Sequence, residues 1–162
     1  MSGGRARPNG LLFVFLPGTA GRPSCCQLLL RGAAALGYHA IGLTYSNRTA
    51  VGRRCLDDLR CYGTVRRNVF DGTHPSSASA IPRQDGVQRR LTALLGYLAR
   101  HDPAEGWQRF LAAGQPRYRA IVLGGHSQGG GEAAFIGSID QLAGVITLSS
   151  PPDTDSAAQR RG

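Results

Sequence analysis

The chain has 162 residues, a single-domain length that can bury about 70% of its unfolded surface, and its 41% hydrophobic content is ordinary for a globular protein. It contains no apolar run of about 18 residues or more, which excludes a hydrophobic helical membrane span. The net charge is +9 and all 19 basic residues are arginine, but they are spread along the chain with few aromatics between them, so no nucleic-acid partner is expected.

Met1 to Asn9 is polar, glycine-rich and basic, and residues 1–10 read as a flexible N-terminus. The apolar run Leu11 to Leu16 is too short for a signal-peptide core, which leaves a cytoplasmic location as the default. Its continuous hydrophobicity predicts a central parallel strand, buried on both faces and ended by Pro17-Gly18. After the loop Pro17 to Pro23, Ser24 reads as the N-cap of a helix carrying Cys25, Leu28, Leu29, Ala33 and Leu36, closed by Gly37. Tyr38 to Thr44 follows as a second strand, giving a right-handed β-α-β unit.

Periodicity fades over about 45–86, which reads as a loop-rich insertion. A short helix is expected over Cys55 to Tyr62 and an apolar patch over Val65 to Phe70; Asp71 to Gly86 is loop by composition, with His74 a solvated loop histidine. The four cysteines do not match a zinc-site spacing. Cys25 and Cys26 read as buried packing residues, and Cys55 and Cys61 as a disulfide in an exported protein or thiols in the cytoplasm. Asn47-Arg48-Thr49 fits a glycosylation sequon.

Val87, Leu91, Leu94, Leu95 and Leu98 form the clearest amphipathic helix, stopped by Asp102-Pro103. Trp107, Phe110 and Leu111 suggest one more helical turn. A third strand is expected over Arg119 to Gly124, a helix from Gly129 to about Leu142, and a fourth strand from Gly144 to Ser149. Residues 151–162 read as a disordered tail. The predicted fold is α/β over residues 11–150: an open, mostly parallel sheet of about four strands with helices on both faces.

Between the third strand and the helix after it stands Gly125-His126-Ser127-Gln128-Gly129, a G-x-S-x-G pattern in strand-to-helix context. Glycines two residues to either side permit a turn too tight for a Cβ, and the helix start aims free N–H groups and its positive dipole end at the serine oxygen. Acyl transfer also requires N–H donors waiting where negative charge develops, each typically worth about 10²–10³ in rate. One would be the N–H of Gln128; the other would come from Pro17-Gly18-Thr19, a segment that also fits an ordinary strand-to-helix turn. If the first strand pairs with the second on one side and the third on the other, the switch point brings Thr19 and Ser127 over one crevice.

On these residues the chain resembles the α/β-hydrolase fold family of serine hydrolases over about residues 11–150. The resemblance implies Ser127 as nucleophile, the N–H groups of Thr19 and Gln128 as oxyanion hole, a small-molecule acyl substrate, and no cofactor or metal. In that family the acid and then the histidine follow the nucleophile, whereas the four histidines here, His39, His74, His101 and His126, all precede Ser127. Downstream carboxylates are Glu132 and Asp140, which fit a solvated helix face, and Asp153 and Asp155. Asp153 stands where some members carry the acid. The expectation is therefore an N-terminal portion of a hydrolase, weak or inactive alone, whose fourth strand is an apolar edge open to self-association. The alternatives are a non-catalytic binding module that keeps the crevice, and an arginine-rich nucleic-acid binder.

Overall fold

The computed structural model describes residues 7–150. Eleven elements follow in chain order: β1 (Leu12–Leu16), α1 (Gln27–Ala35), β2 (His39–Gly42), α2 (Val51–Cys55), α3 (Leu59–Asp71), α4 (Val87–His101), β3 (Leu111–Ala112), β4 (Gln115–Pro116), β5 (Ile121–His126), α5 (Gln128–Ile139) and β6 (Gly144–Leu148). Short 3-10 turns link several of them. The main sheet is all parallel in the order β2-β1-β5-β6, and β3 and β4 form a small antiparallel hairpin that sequence periodicity does not reveal.

Alternation along β1 sorts the core into two layers. Leu12, Val14 and Leu16 face a large cluster with Val65, Val69, Leu91, Leu95 and Ile136, which covers one side of the sheet with α3, α4 and α5. Phe13 and Phe15 face the other side, where they meet Val122, Leu30 and Ala33 beneath α1. Every residue of β1 is at most 4% exposed, as expected of a strand with helices on both faces. Across the sheet, β6 is the contrast: Val145, Ile146 and Leu148 are each at least 40% exposed, and among the described residues the strand pairs only with β5.

The first helix differs from its reading. Ser24 does not cap it; Pro23–Cys26 is a 3-10 turn without a side-chain cap, and α1 begins at Gln27. Its inward stripe is Cys26, Leu30 and Ala33, so Leu28 and Leu36 point outward and Cys25 is exposed, not buried. The stretch assigned to a loop-rich insertion contains two helices, α2 and α3, joined by a disulfide between Cys55 and Cys61. Asp58 starts α3 by accepting from the N–H groups of Arg60 and Cys61, and Gly72, at φ 72°, ends it. The following segment is loop, as its composition suggests, and His74 is exposed within it. That loop is nevertheless pinned. Buried Asn68 donates to the carbonyls of Thr73 and Ile81 and accepts from the Ser79 hydroxyl and the Ile81 N–H. Among the described residues no helix is long and apolar enough to cross a membrane.

Candidate active site

The strand order puts the site at the carboxyl ends of β1 and β5, which are neighbours in register: Leu16 pairs with Gly125. The chain leaves β1 for α1 on one face and β5 for α5 on the other, so the switch point of the sheet lies between the two departures. Ser127 occupies the bend between β5 and α5 at φ 51°, ψ −119°, a conformation that non-glycine residues rarely adopt and that costs of the order of 1–3 kcal/mol. Its N–H donates to the Leu148 carbonyl of β6 at 2.8 Å, and its carbonyl accepts from Gly131 at 3.1 Å, which fix the bend from both sides. The Ser127 side chain makes no capping bond to its own helix.

The surrounding glycines have steric reasons. A Cβ on Gly125 would collide with the backbone of Gly129, and one on Gly129 would collide with the Leu16 carbonyl. A Cβ on Gly18 would stand 3.0 Å from His126 Nδ1 and 3.4 Å from Ser127 Cβ. The loop after β1 therefore lies directly against the serine bend. Thr19 spans the same gap: its hydroxyl donates to Gln128 Oε1 at 2.9 Å. The two segments singled out from the sequence meet at one place, with Thr19 exposed, Ser127 half-buried and Gln128 buried. Among the described residues, the backbone N–H groups of Thr19 and Gln128 donate to no protein acceptor. A helix N-terminus with an unused N–H beside a hydroxyl, and a second unused N–H on the facing loop, can stabilise negative charge on a nearby oxygen.

The loop is held by residues that sequence reasoning passed over. Asn47 donates through Nδ2 to the carbonyls of Gly18 (2.6 Å) and Gly21 (2.9 Å), while its own carbonyl accepts from Ala20 at 2.9 Å. With 7% exposure and both loop carbonyls on its amide, Asn47 is a clamp, and the nitrogen that a sequon would offer to a glycan is engaged in holding the loop. Tyr45 donates its hydroxyl to the Pro17 carbonyl at 2.9 Å, and burial, reinforced by the charge of Glu132, pushes its phenol well above the ordinary range.

A buried ion pair lies beneath α5. Arg66, 2% exposed, donates Nη1 to the Gln128 carbonyl at 3.3 Å and meets Glu132 Oε2 at 3.5 Å. Its guanidinium packs against Gly131, where a Cβ would strike Nη2. Glu132 is therefore not on a solvated face, because α5 turns that side toward α3. Asp140, at the other end of α5, is also partly buried, and desolvation raises its carboxyl above the usual range against the opposing pull of Arg67. A signal for Arg66 did exist: it shares the apolar face of Tyr62 and Val69 at i, i+4 and i+7.

His126 is exposed beside the bend, and among the described residues no histidine is hydrogen-bonded to Ser127. His39 is remote, seated edge-on to Trp107 and Phe110 with Nε2 at 2.8 Å from the Glu105 carbonyl. Asp153 and Asp155 lie outside the described residues, as does the tail assigned to 151–162. Among the described residues no cluster of three or more His, Cys, Asp or Glu could hold a metal ion. Compared with known proteins, the chain matches no family model, no curated protein and no solved structure. The geometry of the bend and its facing loop is thus the ground for any functional reading.

Proposed function

We propose that the chain is a serine hydrolase of the α/β-hydrolase type, with Ser127 as nucleophile and the N–H groups of Thr19 and Gln128 as oxyanion hole, acting on a carboxylic ester or related acyl compound. The observation that carries this reading is the backbone of Ser127, at φ 51° and ψ −119° on a strand-to-helix bend pressed against the Gly18-Thr19 loop. A fold retains a strained non-glycine residue only where the surroundings impose it, and here the half-buried serine is held on the bend by its N–H bond to Leu148 and its carbonyl bond from Gly131. Attack of the Ser127 oxygen on an acyl carbon would place negative charge on the carbonyl oxygen. Two N–H donors on either side, free of protein acceptors among the described residues, would offset that charge.

The proton leaving Ser127 needs an acceptor, and among the described residues no histidine is hydrogen-bonded to Ser127. A serine hydroxyl without a base is a poor nucleophile at neutral pH. With donors and binding but no base in place, acceleration of the order of 10³–10⁴ over water is the scale to expect. That no histidine is hydrogen-bonded to Ser127 among the described residues favours a second reading, a binding module for acyl compounds without turnover.

A fluorophosphonate probe separates the two. The hydrolase reading expects slow covalent labelling at Ser127 that Ser127→Ala abolishes. Saturable, reversible binding of the probe without a covalent adduct would favour the binding module. Labelling that survives Ser127→Ala would overturn the assignment of the nucleophile.

A further inference from the structure

Outside the cleft, the 3-10 turn Pro23–Cys26 carries two adjacent thiols whose Sγ atoms stand 2.8 Å apart. A disulfide bond is about 2.0 Å long, so the sulfurs need to close by less than an ångström. Cys25 is exposed, whereas Cys26 is half-buried against the Phe13, Phe15 and Val122 layer. The turn is anchored behind, where Pro23 packs on Gly42 so closely that a Cβ there would sit 2.6 Å from the proline ring. Ahead of it α1 has no fully buried residue, and Cys26 already leaves the helical region at φ −117°, ψ 25°.

We propose that Cys25 and Cys26 form an oxidation site that takes a small disulfide and closes to a vicinal Cys25–Cys26 disulfide. The Cys25 thiolate attacks one sulfur of the small disulfide, whose S–S bond breaks; one small thiolate leaves and a mixed disulfide forms on Cys25. Cys26 gives its proton to the released thiolate, then attacks the Cys25 sulfur and expels the second small thiolate, which takes up the proton first lost by Cys25. In sum, two protein thiols are oxidised and one small disulfide is reduced to two thiols.

The division of labour follows from position. Burial, and then the hydrogen bond to the Cys25 sulfur, push the Cys26 thiol up to about 11, so Cys26 holds its proton while the exposed Cys25 meets the reagent. Adjacent Cα atoms are about 3.8 Å apart, shorter than the usual disulfide span of about 4.4–6.8 Å, so the ring is strained and easily reopened by reductant. The site is independent of the chemistry proposed for Ser127.

The test is oxidised glutathione added to the folded, full-length chain, followed by mass mapping of the tryptic peptide that ends at Arg31. That peptide holds both thiols and neither Cys55 nor Cys61. The expected result is loss of two hydrogens with no glutathione retained, restored by dithiothreitol. Cys26→Ser should instead keep a stable glutathione adduct on Cys25. A wild-type peptide that retains glutathione, remains unaltered, or cross-links two chains would overturn the proposal.

Discussion

Thr19 and Gln128 are joined by one hydrogen bond of 2.9 Å across 109 residues of sequence, and through it the loop after β1 is tied to the first residue of α5. Thr19→Val keeps the shape and deletes the donor. It should cost about 0.5–1.5 kcal/mol in urea denaturation, the net worth of a typical hydrogen bond. If the bond also sets the spacing of the two N–H groups, fluorophosphonate labelling at Ser127 should slow by more than the stability loss predicts. An unchanged labelling rate would reduce the bond to a structural role.

Ser127→Gly should raise stability while removing reactivity. Glycine adopts positive φ readily, so the strain at φ 51° is relieved, by about 1 kcal/mol or more. A serine held there only by chance would give the same stabilisation, but then labelling would not depend on it. Thermal melting and probe labelling of the same sample decide between these outcomes.

Two glycines in helices should respond in opposite directions to alanine. At Gly63, exposed on α3, an added Cβ meets nothing within 4 Å, so Gly63→Ala should stabilise by about 0.5–1 kcal/mol. At Gly129 the added methyl runs into the Leu16 carbonyl, and Gly129→Ala should destabilise by about 1–3 kcal/mol and disturb the bend. Equal effects at the two sites would contradict the close approach of β1 to α5.

Arg66→Met leaves the Glu132 carboxylate buried without its cation and should cost about 3–5 kcal/mol. The double variant Arg66→Met, Glu132→Gln should recover part of that loss, because the stranded charge is gone. Chemical denaturation of both variants measures the difference. Equal stability of the single and double variants would show that the buried charge is not the source of the penalty.

Tyr45 predicts an alkaline limit. An unfolded tyrosine ionises near pH 10, whereas the folded Tyr45 phenol is held higher by burial and by Glu132. Its contribution is present in full below about pH 10, and is lost as pH rises from there toward the folded value, because the unfolded chain releases the proton first. Urea midpoints should fall above about pH 10. Tyr45→Phe should flatten that fall while lowering stability at neutral pH, since the Pro17 carbonyl loses its donor.

What the sequence made legible follows one physical rule. Elements whose signal is local could be read: Leu12 to Leu16 as an unbroken apolar strand, Val87 to His101 as an amphipathic helix, and the glycines around Ser127 as a bend too tight for side chains. What depends on a distant partner could not. Asn47 looks like any loop asparagine until the Gly18 and Gly21 carbonyls arrive. Glu132 looks solvated until α3 places Arg66 beside it. The outward turn of Leu28 was hidden because several apolar stripes compete on α1, and only the sheet face selects Leu30 and Ala33.

The order of strands also has a kinetic meaning. β1 is flanked by β2, which follows it closely in the chain, and by β5, which arrives only after α1 to α4 have intervened. Pairing so distant in sequence demands loop closure before any reward, and topologies of this kind fold slowly. During synthesis one side of β1 must wait, apolar and unpaired, until β5 and the segment bearing Ser127 emerge, and a chain halted before that moment would present a sticky strand edge.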